Sequence, residues 1–284
     1  MKVSHVLLPF DFSESSVAMV RFVLPLLQHY RAEATILHVI EVPAPVPAEP
    51  LPNAFGLLGL TDELLRSAEE RLKQFQFPVE LPPTIDRLSV RGEPHDCILQ
   101  AAREHNSDLI AMATRGFGPL RRFLLGSVTA KVLDEATVPI LTGAHLREHP
   151  SIAQFHRIIC AVDLDDHAPI TLRFAKELAQ DYSAEIHVVH AIEMESATAI
   201  LDAGSEQQVI QLAFDRLEGL AKDVGLDCEL HVEIGLPNKV VPQLAERLGS
   251  DVLVVGRSVR GKPGFLRTNA YALIRESPCA VLSV

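Results

Sequence analysis

HVLLPFDFS, residues 5–13, is the stretch of this chain that best indicates its fold. It is an apolar run that ends on Asp11, and RIICAVDLD at residues 157–165 repeats the same pattern around Asp163. A continuous apolar run of this length predicts a strand that is buried on both faces, as in a parallel sheet. The two runs lie 163 − 11 = 152 residues apart. The chain therefore contains an internal repeat.

Further segments match in the same order in both copies of the repeat. At the offset of 152, HVIE at 38–41 matches HAIE at 190–193. Later in each copy the offset becomes 143, where SDLIAM at 107–112 matches SDVLVV at 250–255. The order and spacing of these matches extend the repeat over nearly the whole chain.

The change of offset places 152 − 143 = 9 extra residues in the first copy, beside the proline-rich run VPAPVPAEPLP at 42–52. Such a run favours extended, stiff backbone. We expect segment 42–60 either to cover the strand ends near a ligand or to contact another subunit. The polar joint LREHPSIAQFH at 146–156 separates the copies, which predicts one domain at 1–149 and another at 150–284.

Each copy alternates between strand and helix signals. In the first copy, strands are predicted at 3–10, 34–41, 85–92, 108–114 and 138–143, and helices at 13–30, 61–75, 94–106 and 127–136. Ser13 is a candidate N-cap, whereas Pro25 should kink its helix or mark a boundary. This alternation predicts an α/β fold of two tandem repeats, each a five-stranded, mostly parallel, doubly wound sheet of Rossmann-like type with helices on both faces. On such sheets ligands bind beyond the carboxyl ends of the strands, where the strand order reverses.

Composition excludes several classes of protein. Hydrophobic residues make up 48% and charged residues 22%, which is typical of a packed soluble protein and not of a disordered one. The 26 basic and 37 acidic residues give a net charge of −11, and both halves are acidic, so nonspecific binding to nucleic acid or anionic membrane is not expected. The four cysteines are scattered, and we find no membrane-spanning run or signal peptide, so we expect a cytoplasmic protein.

The segment ATRGFGPLRRFLLGSVTAK, residues 113–131, follows the fourth predicted strand and is the main candidate for a phosphate site. Gly126 and Ser127 open the next helix, whose first N–H groups and partial positive charge favour anions. Three arginines add positive charge: Arg115, Arg121 and Arg122. The alternative is an ordinary turn and N-cap beside solvated arginines. Likewise, Asp11 suits either ribose hydroxyls or the cap of the following helix.

Together these residues make the chain resemble a tandem member of the universal stress protein family over nearly all of its length. The family pattern is Gly, two residues, Gly, nine residues, then Gly and Ser or Thr, and here Ala113, Gly116 and Gly126-Ser127 occupy it. The resemblance implies ATP or another adenine nucleotide, with Mg²⁺ on its phosphates. It assigns this ligand to Pro9, Asp11, Val39, Met112, Ala113, Gly116, Gly126, Ser127, Val128 and Thr129. It also implies that the two copies pair through their last strands, and that two chains form a homodimer.

Ala113 departs from the family pattern, which has glycine there. Its methyl group weakens binding if the position needs a positive φ or close backbone approach, and is harmless if φ is negative. The second copy departs further, because Val259 replaces the second glycine and Thr268-Asn269-Ala270 replaces Gly-Ser. We predict a degenerate second site. The loop of this second site is nevertheless basic. We interpret its basic side chains as solvated, the alternatives being that they hold an anion or contact the first copy. These side chains are Arg257, Arg260, Lys262 and Arg267.

These observations support a regulatory, nucleotide-binding protein with slow or no hydrolysis, because no side chain is identified as a base that activates water. One alternative is a nucleotide-free interaction module that acts through segment 42–60 and subunit contacts, and another is a true ATPase. No metal-binding motif such as H-E-x-x-H is present among the 12 histidines. A linker group, His145, His149 and His156, is a minor candidate for a metal.

Overall fold

The structure is a computed structural model that describes residues 1–41, 54–114, 125–143, 154–193, 203–257 and 265–284. The first copy consists of β1 (His5–Pro9), α1 (Glu14–Tyr30), β2 (Glu33–Ile40), α2 (Ala54–Gln74), β3 (Ile85–Arg91), α3 (Pro94–Glu104), β4 (Leu109–Ala113), α4 (Ser127–Glu135) and β5 (Ile140–Gly143). The second consists of β6 (Arg157–Ala161), α5 (Ala168–Tyr182), β7 (Glu185–Ile192), α6 (Ala203–Asp223), β8 (Glu229–Ile234), α7 (Pro237–Leu248), β9 (Val252–Val255), α8 (Phe265–Glu276) and β10 (Ala280–Ser283). The predicted alternation of strands and helices is confirmed in both copies. The joint at 144–153 lies outside the described residues.

The predicted start of one helix was wrong, and of the two expectations for Pro25, a kink or a boundary, the structure excludes the boundary. Helix α2 begins at Ala54, seven residues before the predicted start at Thr61, so the apolar end of segment 42–60 is helical. Residues 42–53 lie outside the described part of the chain. Pro25 does not end α1, which continues to Tyr30. The helix is held on both sides of the proline because apolar side chains before and after it are buried: Phe22, Val23, Leu26 and Leu27.

The ten strands form a single sheet in the order β3-β2-β1-β4-β5-β10-β9-β6-β7-β8. Neighbouring strands are parallel within each copy, and β5 pairs antiparallel with β10 between the copies. In the first copy the strand order reverses between β1 and β4, whose residues Val6 and Leu109 are in register. The carboxyl ends of β1 and β4 are therefore the place where a ligand site is expected.

Helices cover both faces of the sheet, so each strand contributes to two cores. One core contains apolar residues of α1, α2, α5 and α6, such as Val23 and Leu172. The other contains residues of α3, α4, α7 and α8, such as Val132 and Leu273. This two-sided burial explains why the strands have continuous apolar sequences rather than alternating ones. No helix among the described residues combines the length and apolar character needed to cross a membrane.

The two copies contact each other in a pattern with approximate two-fold symmetry. Besides the β5–β10 pair, the ends of α1 and α5 touch: the His29 and Tyr182 rings stack with centroids 4.2 Å apart, and the Tyr30 hydroxyl donates to Asp181 at 2.7 Å. At the offset of 152, His29 is equivalent to Asp181 and Tyr30 to Tyr182. Equivalent residues thus meet reciprocally, as in the isologous interface of a dimer.

One contact between the copies has no symmetric counterpart. The Arg257 guanidinium donates to the carbonyl oxygens of Leu133 at 3.4 Å, Ala136 at 2.9 Å and Val138 at 2.7 Å, at and beyond the end of α4. Burial lowers the pKa of Arg257 to about 10, so it remains charged at neutral pH. The interpretation of this arginine as solvated was wrong, because the helix end offers carbonyl oxygens that attract a cation. Arg260 and Lys262 lie outside the described residues.

Candidate functional site

A cavity of about 580 Å³ opens at the carboxyl ends of β1, β2 and β4. It lies at the reversal of strand order, and the N-terminus of α4 forms part of its wall. Nine of the ten residues assigned from the sequence line it: Pro9, Asp11, Val39, Met112, Ala113, Gly126, Ser127, Val128 and Thr129. The tenth, Gly116, lies outside the described residues. The fold thus brings together residues that are up to 120 positions apart in the chain (129 − 9).

The loop after β1 presents a carboxylate to this cavity. Asp11 is exposed, and its Oδ1 accepts a hydrogen bond from the backbone N–H of Ser13 at 3.0 Å. The cap of α1 is made by Ser13, whose hydroxyl oxygen accepts from the N–H of Ser16 at 3.1 Å. Asp11 is therefore not the N-cap, and its Oδ2 faces no hydrogen-bond partner in the part of the chain that the structure describes. A carboxylate placed in this way suits the hydroxyl groups of a sugar.

Helix α4 begins at the cavity without a side-chain cap. Gly126 occupies the N-cap position with φ −64° and ψ 145°, and its own N–H donates to Thr114 O at 3.0 Å. The Thr129 hydroxyl is used inside the protein, because it donates to Ala113 O at 3.2 Å and ties the helix to the end of β4. Ser127 is exposed. The unpaired N–H groups of the first turn and the partial positive charge of the helix are therefore available to an anion.

The backbone at Gly126 does not itself require glycine. A Cβ atom built there would lie 3.5 Å from Thr114 O and 3.6 Å from Thr129 Oγ1, which are ordinary contacts. Its φ is also accessible to any residue. The protein has room for a side chain at this position. Because Gly126 has none, that space is open to a ligand in the cavity.

The departure at Ala113 is harmless to the backbone. Among the described non-glycine residues, left-handed φ values occur at Phe12, Arg31, Asn106 and Ser183, and Ala113 is not one of them. It is simply the last residue of β4, in register with Gly143 of β5. Because φ at Ala113 is not positive, its methyl group does not strain the backbone.

His38 also lines the cavity, and the site residues assigned from the sequence did not include it. Its Nδ1 lies 2.8 Å from Phe10 O, and because a carbonyl oxygen only accepts, Nδ1 carries the proton. The equivalent His190 makes the same contact with Val162 O at 3.0 Å in the second copy. The same contact in both copies indicates a structural role for these histidines at the end of the sheet.

Phe12 connects this end of the sheet to helix α2 through an unusual backbone conformation. Its φ is 63°, its ring meets that of His38 edge-on at 4.6 Å, and the Arg71 guanidinium lies 3.9 Å above the ring centroid. A bulky residue in the left-handed region is strained, and such strain is often found at ligand sites. Sequence patterns give no sign of a positive φ at a phenylalanine.

The equivalent end of the second copy is built differently. A Cβ atom at Gly256 would lie only 2.6 Å from Thr171 Oγ1, so a larger residue there would force the buried Thr171 side chain of α5 to move. Helix α8 begins at Phe265, five residues before position 270 (127 + 143), the equivalent of the start of α4. Thr268-Asn269-Ala270 therefore lies within a helix rather than in front of one. These differences agree with the predicted loss of the second site, although residues 258–264 are not described.

Comparison with known proteins places the chain among universal stress proteins. The model of the universal stress protein family matches residues 2–142 and again residues 154–284. A universal stress protein of Thermus aquaticus is 30% identical over 138 residues, covering 48% of this chain and 95% of that protein. The crystal structure of a universal stress protein from Archaeoglobus fulgidus has 23% identity and a TM-score of 0.62, and the match covers 99% of this chain and 96% of that one. The tandem arrangement of two such domains is therefore shared with a solved structure.

Proposed function

The chain belongs to the universal stress protein family, and from that premise we propose that its first copy binds ATP or a related adenine nucleotide. The proposed site is the cavity between the carboxyl ends of β1, β2 and β4 and the start of α4. The observation that carries this proposal is the uncapped N-terminus of α4 in the wall of a largely apolar pocket. We assign the site a regulatory role, because among its described lining residues we identify no group that would activate water for rapid turnover.

The chemistry of the lining fits the parts of such a ligand in turn. Half-buried Val39 and buried Met112 provide an apolar surface for a flat base. The exposed Asp11 carboxylate suits ribose hydroxyls, and the first turn of α4, from Ser127, suits phosphates. Asp11 and Glu41 are the charged side chains among the described lining residues. An accompanying Mg²⁺ would be held mainly by the phosphates, together with one or two carboxylates.

The described lining gives little support to fast hydrolysis. His38 keeps its Nδ1 proton on Phe10 O, and the same arrangement at His190 indicates a structural purpose. Asp11 is occupied in part by the N–H of Ser13. We therefore propose slow hydrolysis or none. The alternative of an interaction module that acts through segment 42–60 has no specific support, since only its helical end, from Ala54, is described.

The first expected result concerns the wild-type protein. Purified protein freed of nucleotide should bind ATP in the presence of Mg²⁺ with one site per chain, because in the described part of the second copy Thr268-Asn269-Ala270 lies within α8 rather than in front of it. Isothermal titration and the rise in melting temperature with ATP concentration both measure this binding. GTP serves as the control for base selection. Absence of binding at millimolar ATP would contradict the proposal and favour the nucleotide-free alternative.

A second expected result concerns Ala113→Gly. The substitution should leave the ATP affinity within about twofold, because φ at this position is not left-handed and no strain is relieved. It should lower the free energy of unfolding by about 0.5–1 kcal/mol, the usual cost of glycine within a strand. Titration calorimetry and denaturant unfolding measure the two effects. An affinity gain of tenfold or more would show instead that the methyl group obstructs the ligand.

A further inference from the structure

Strands β7 and β8, at the opposite end of the sheet from the cavity, carry a cluster of histidine and carboxylate side chains. Parallel pairing puts His187 of β7 in register with Glu229 of β8, and His231 follows two residues later on the same face. His187 is buried, His231 is half-buried and Glu229 is exposed. All three lie near the amino ends of their strands, so the cluster is separate from the proposed nucleotide site.

The three side chains point their ligand atoms at one another. His187 Nδ1 lies 3.2 Å from His231 Nε2 and 3.5 Å from Glu229 Oε2, and His231 Nε2 lies 3.9 Å from Glu229 Oε1. In a tetrahedral zinc site with bonds of 2.0–2.1 Å, neighbouring ligand atoms are about 3.3 Å apart. The spacing of the cluster is therefore close to that of three ligands around one ion.

The other nitrogen of His187 faces a carboxylate, the kind of group that metal-binding histidines usually have there. Its Nε2 is fully buried, makes no hydrogen bond of good geometry with the described residues, and lies 3.3 Å from Glu185 Oε1. With the proton on Nε2, facing Glu185, the Nδ1 lone pair is the one that would bind a metal, and without an ion Nδ1 shares a hydrogen bond with His231 Nε2. Glu185 is itself held by Arg157, whose Nε donates to it at 2.9 Å.

The electrostatic surroundings also suit a bound cation. Carboxylates at positions 185, 229 and 233 surround the two imidazoles, and Arg157 and Arg247 balance two of them. The remaining carboxylate, Glu229, has no arginine or lysine partner among the described residues and is the one that faces both histidines.

We propose that His187, His231 and Glu229 form a binding site for Zn²⁺ that joins β7 to the edge strand β8. Two imidazole nitrogens and one carboxylate oxygen are a ligand set that zinc uses, with a fourth position open to water. The same nitrogen-rich set makes Ca²⁺ and Mg²⁺ poor competitors, because both prefer oxygen ligands. The ion would fix the register of an edge strand that has only one neighbour in the sheet.

The first copy provides an internal comparison. At the equivalent positions it has Thr35 (187 − 152), Asp86 (229 − 143) and Leu88 (231 − 143). Thr35 is in register with Asp86, just as His187 is in register with Glu229. The backbone geometry is thus repeated, but neither equivalent position carries a histidine. The nearby His5 imidazole uses both of its nitrogens, on Thr35 Oγ1 at 3.0 Å and on Ser107 Oγ at 2.9 Å. One zinc ion per chain is expected, in the second copy alone.

The test uses full-length protein dialysed against a chelator and free of nucleotide. Titration with Zn²⁺ against a chromogenic chelator should show one equivalent bound, and Co²⁺ in its place should give the absorption bands of a tetrahedral site. His231→Ala and Glu229→Gln change side chains that are not fully buried, so both should fold. Each should weaken Zn²⁺ binding at least tenfold, because loss of even an outer partner costs about 10–100-fold.

His156→Ala is the matched control, since His156 is an exposed histidine of the linker. It should leave the affinity for Zn²⁺ unchanged, and circular dichroism without metal should show that all three variants are folded. Wild-type protein that binds no Zn²⁺, or binding that survives both His231→Ala and Glu229→Gln, would overturn the proposal. Loss of binding in His156→Ala would move the site to the linker. None of these readings involves ATP, so they are independent of the proposed nucleotide site.

Discussion

Gly126→Val is expected to weaken ATP binding by at least about thirtyfold while leaving the protein folded. The branched side chain would occupy the space in front of α4 and push the phosphates away from the first-turn N–H groups. Loss of one charge-assisted hydrogen bond costs about 2 kcal/mol, which corresponds to this change in affinity. Titration calorimetry with ATP and Mg²⁺ measures the effect directly.

The structure offers a matched control for this substitution. Gly219 lies in α6, and a Cβ atom there would meet nothing within 4 Å, so Gly219→Ala should not change ATP affinity. The fold should survive Gly126→Val because its φ of −64° is accessible to valine and the new Cβ makes only ordinary contacts. Unchanged affinity in a folded Gly126→Val protein would show that no phosphate lies at α4.

Arg257→Ala is expected to lower the free energy of unfolding by about 3 kcal/mol. Hydrogen bonds from a charged donor contribute about 1.5–3 kcal/mol each, but the cost of burying the guanidinium, whose Nε has no partner among the described residues, offsets part of their sum. The melting temperature should fall by roughly 6–12 °C for a chain of this size. Calorimetric or optical unfolding of the metal-free, nucleotide-free protein measures both quantities. Arg257→Lys should show an intermediate loss, because lysine keeps the charge but not the planar fork of donors.

Arg247→Ala provides the comparison for an exposed arginine. Its guanidinium pairs with Glu233 at 2.7 Å but is 63% exposed, so its loss should cost less than about 1 kcal/mol. Equal destabilisation by Arg257→Ala and Arg247→Ala would mean that the link from the second copy to α4 contributes no more than a surface ion pair.

Local sequence signals predicted the strands, most of the helices and the location of the cavity. The apolar run before Asp11 and the cap at Ser13 are both local features, and both are present in the structure. The start of α2 was missed because Gly56 and Gly59 and the prolines before them obscure a helical pattern. Helix α2 therefore begins earlier than the helix propensities of its first residues predict.

Features that depend on distant parts of the chain were not predictable in this way. Arg257 reaches carbonyl groups more than a hundred residues away, and nothing in its sequence neighbourhood indicates that target. The meeting of His187 with His231 depends on the register of β7 and β8, which sequence spacing does not determine. For the same reason the left-handed φ of Phe12 becomes visible only in the folded molecule.

The antiparallel pairing of β5 with β10 within one chain affects which amino-acid substitutions each half can accept. In a dimer of identical subunits every substitution appears on both sides of the interface, whereas here it appears on one side only. Position 257 is equivalent to Thr114 (257 − 143), so an arginine was free to arise in one half without disturbing the pocket of the other. Fusion of the copies thus allows the two halves to diverge, while the interface between them cannot separate on dilution.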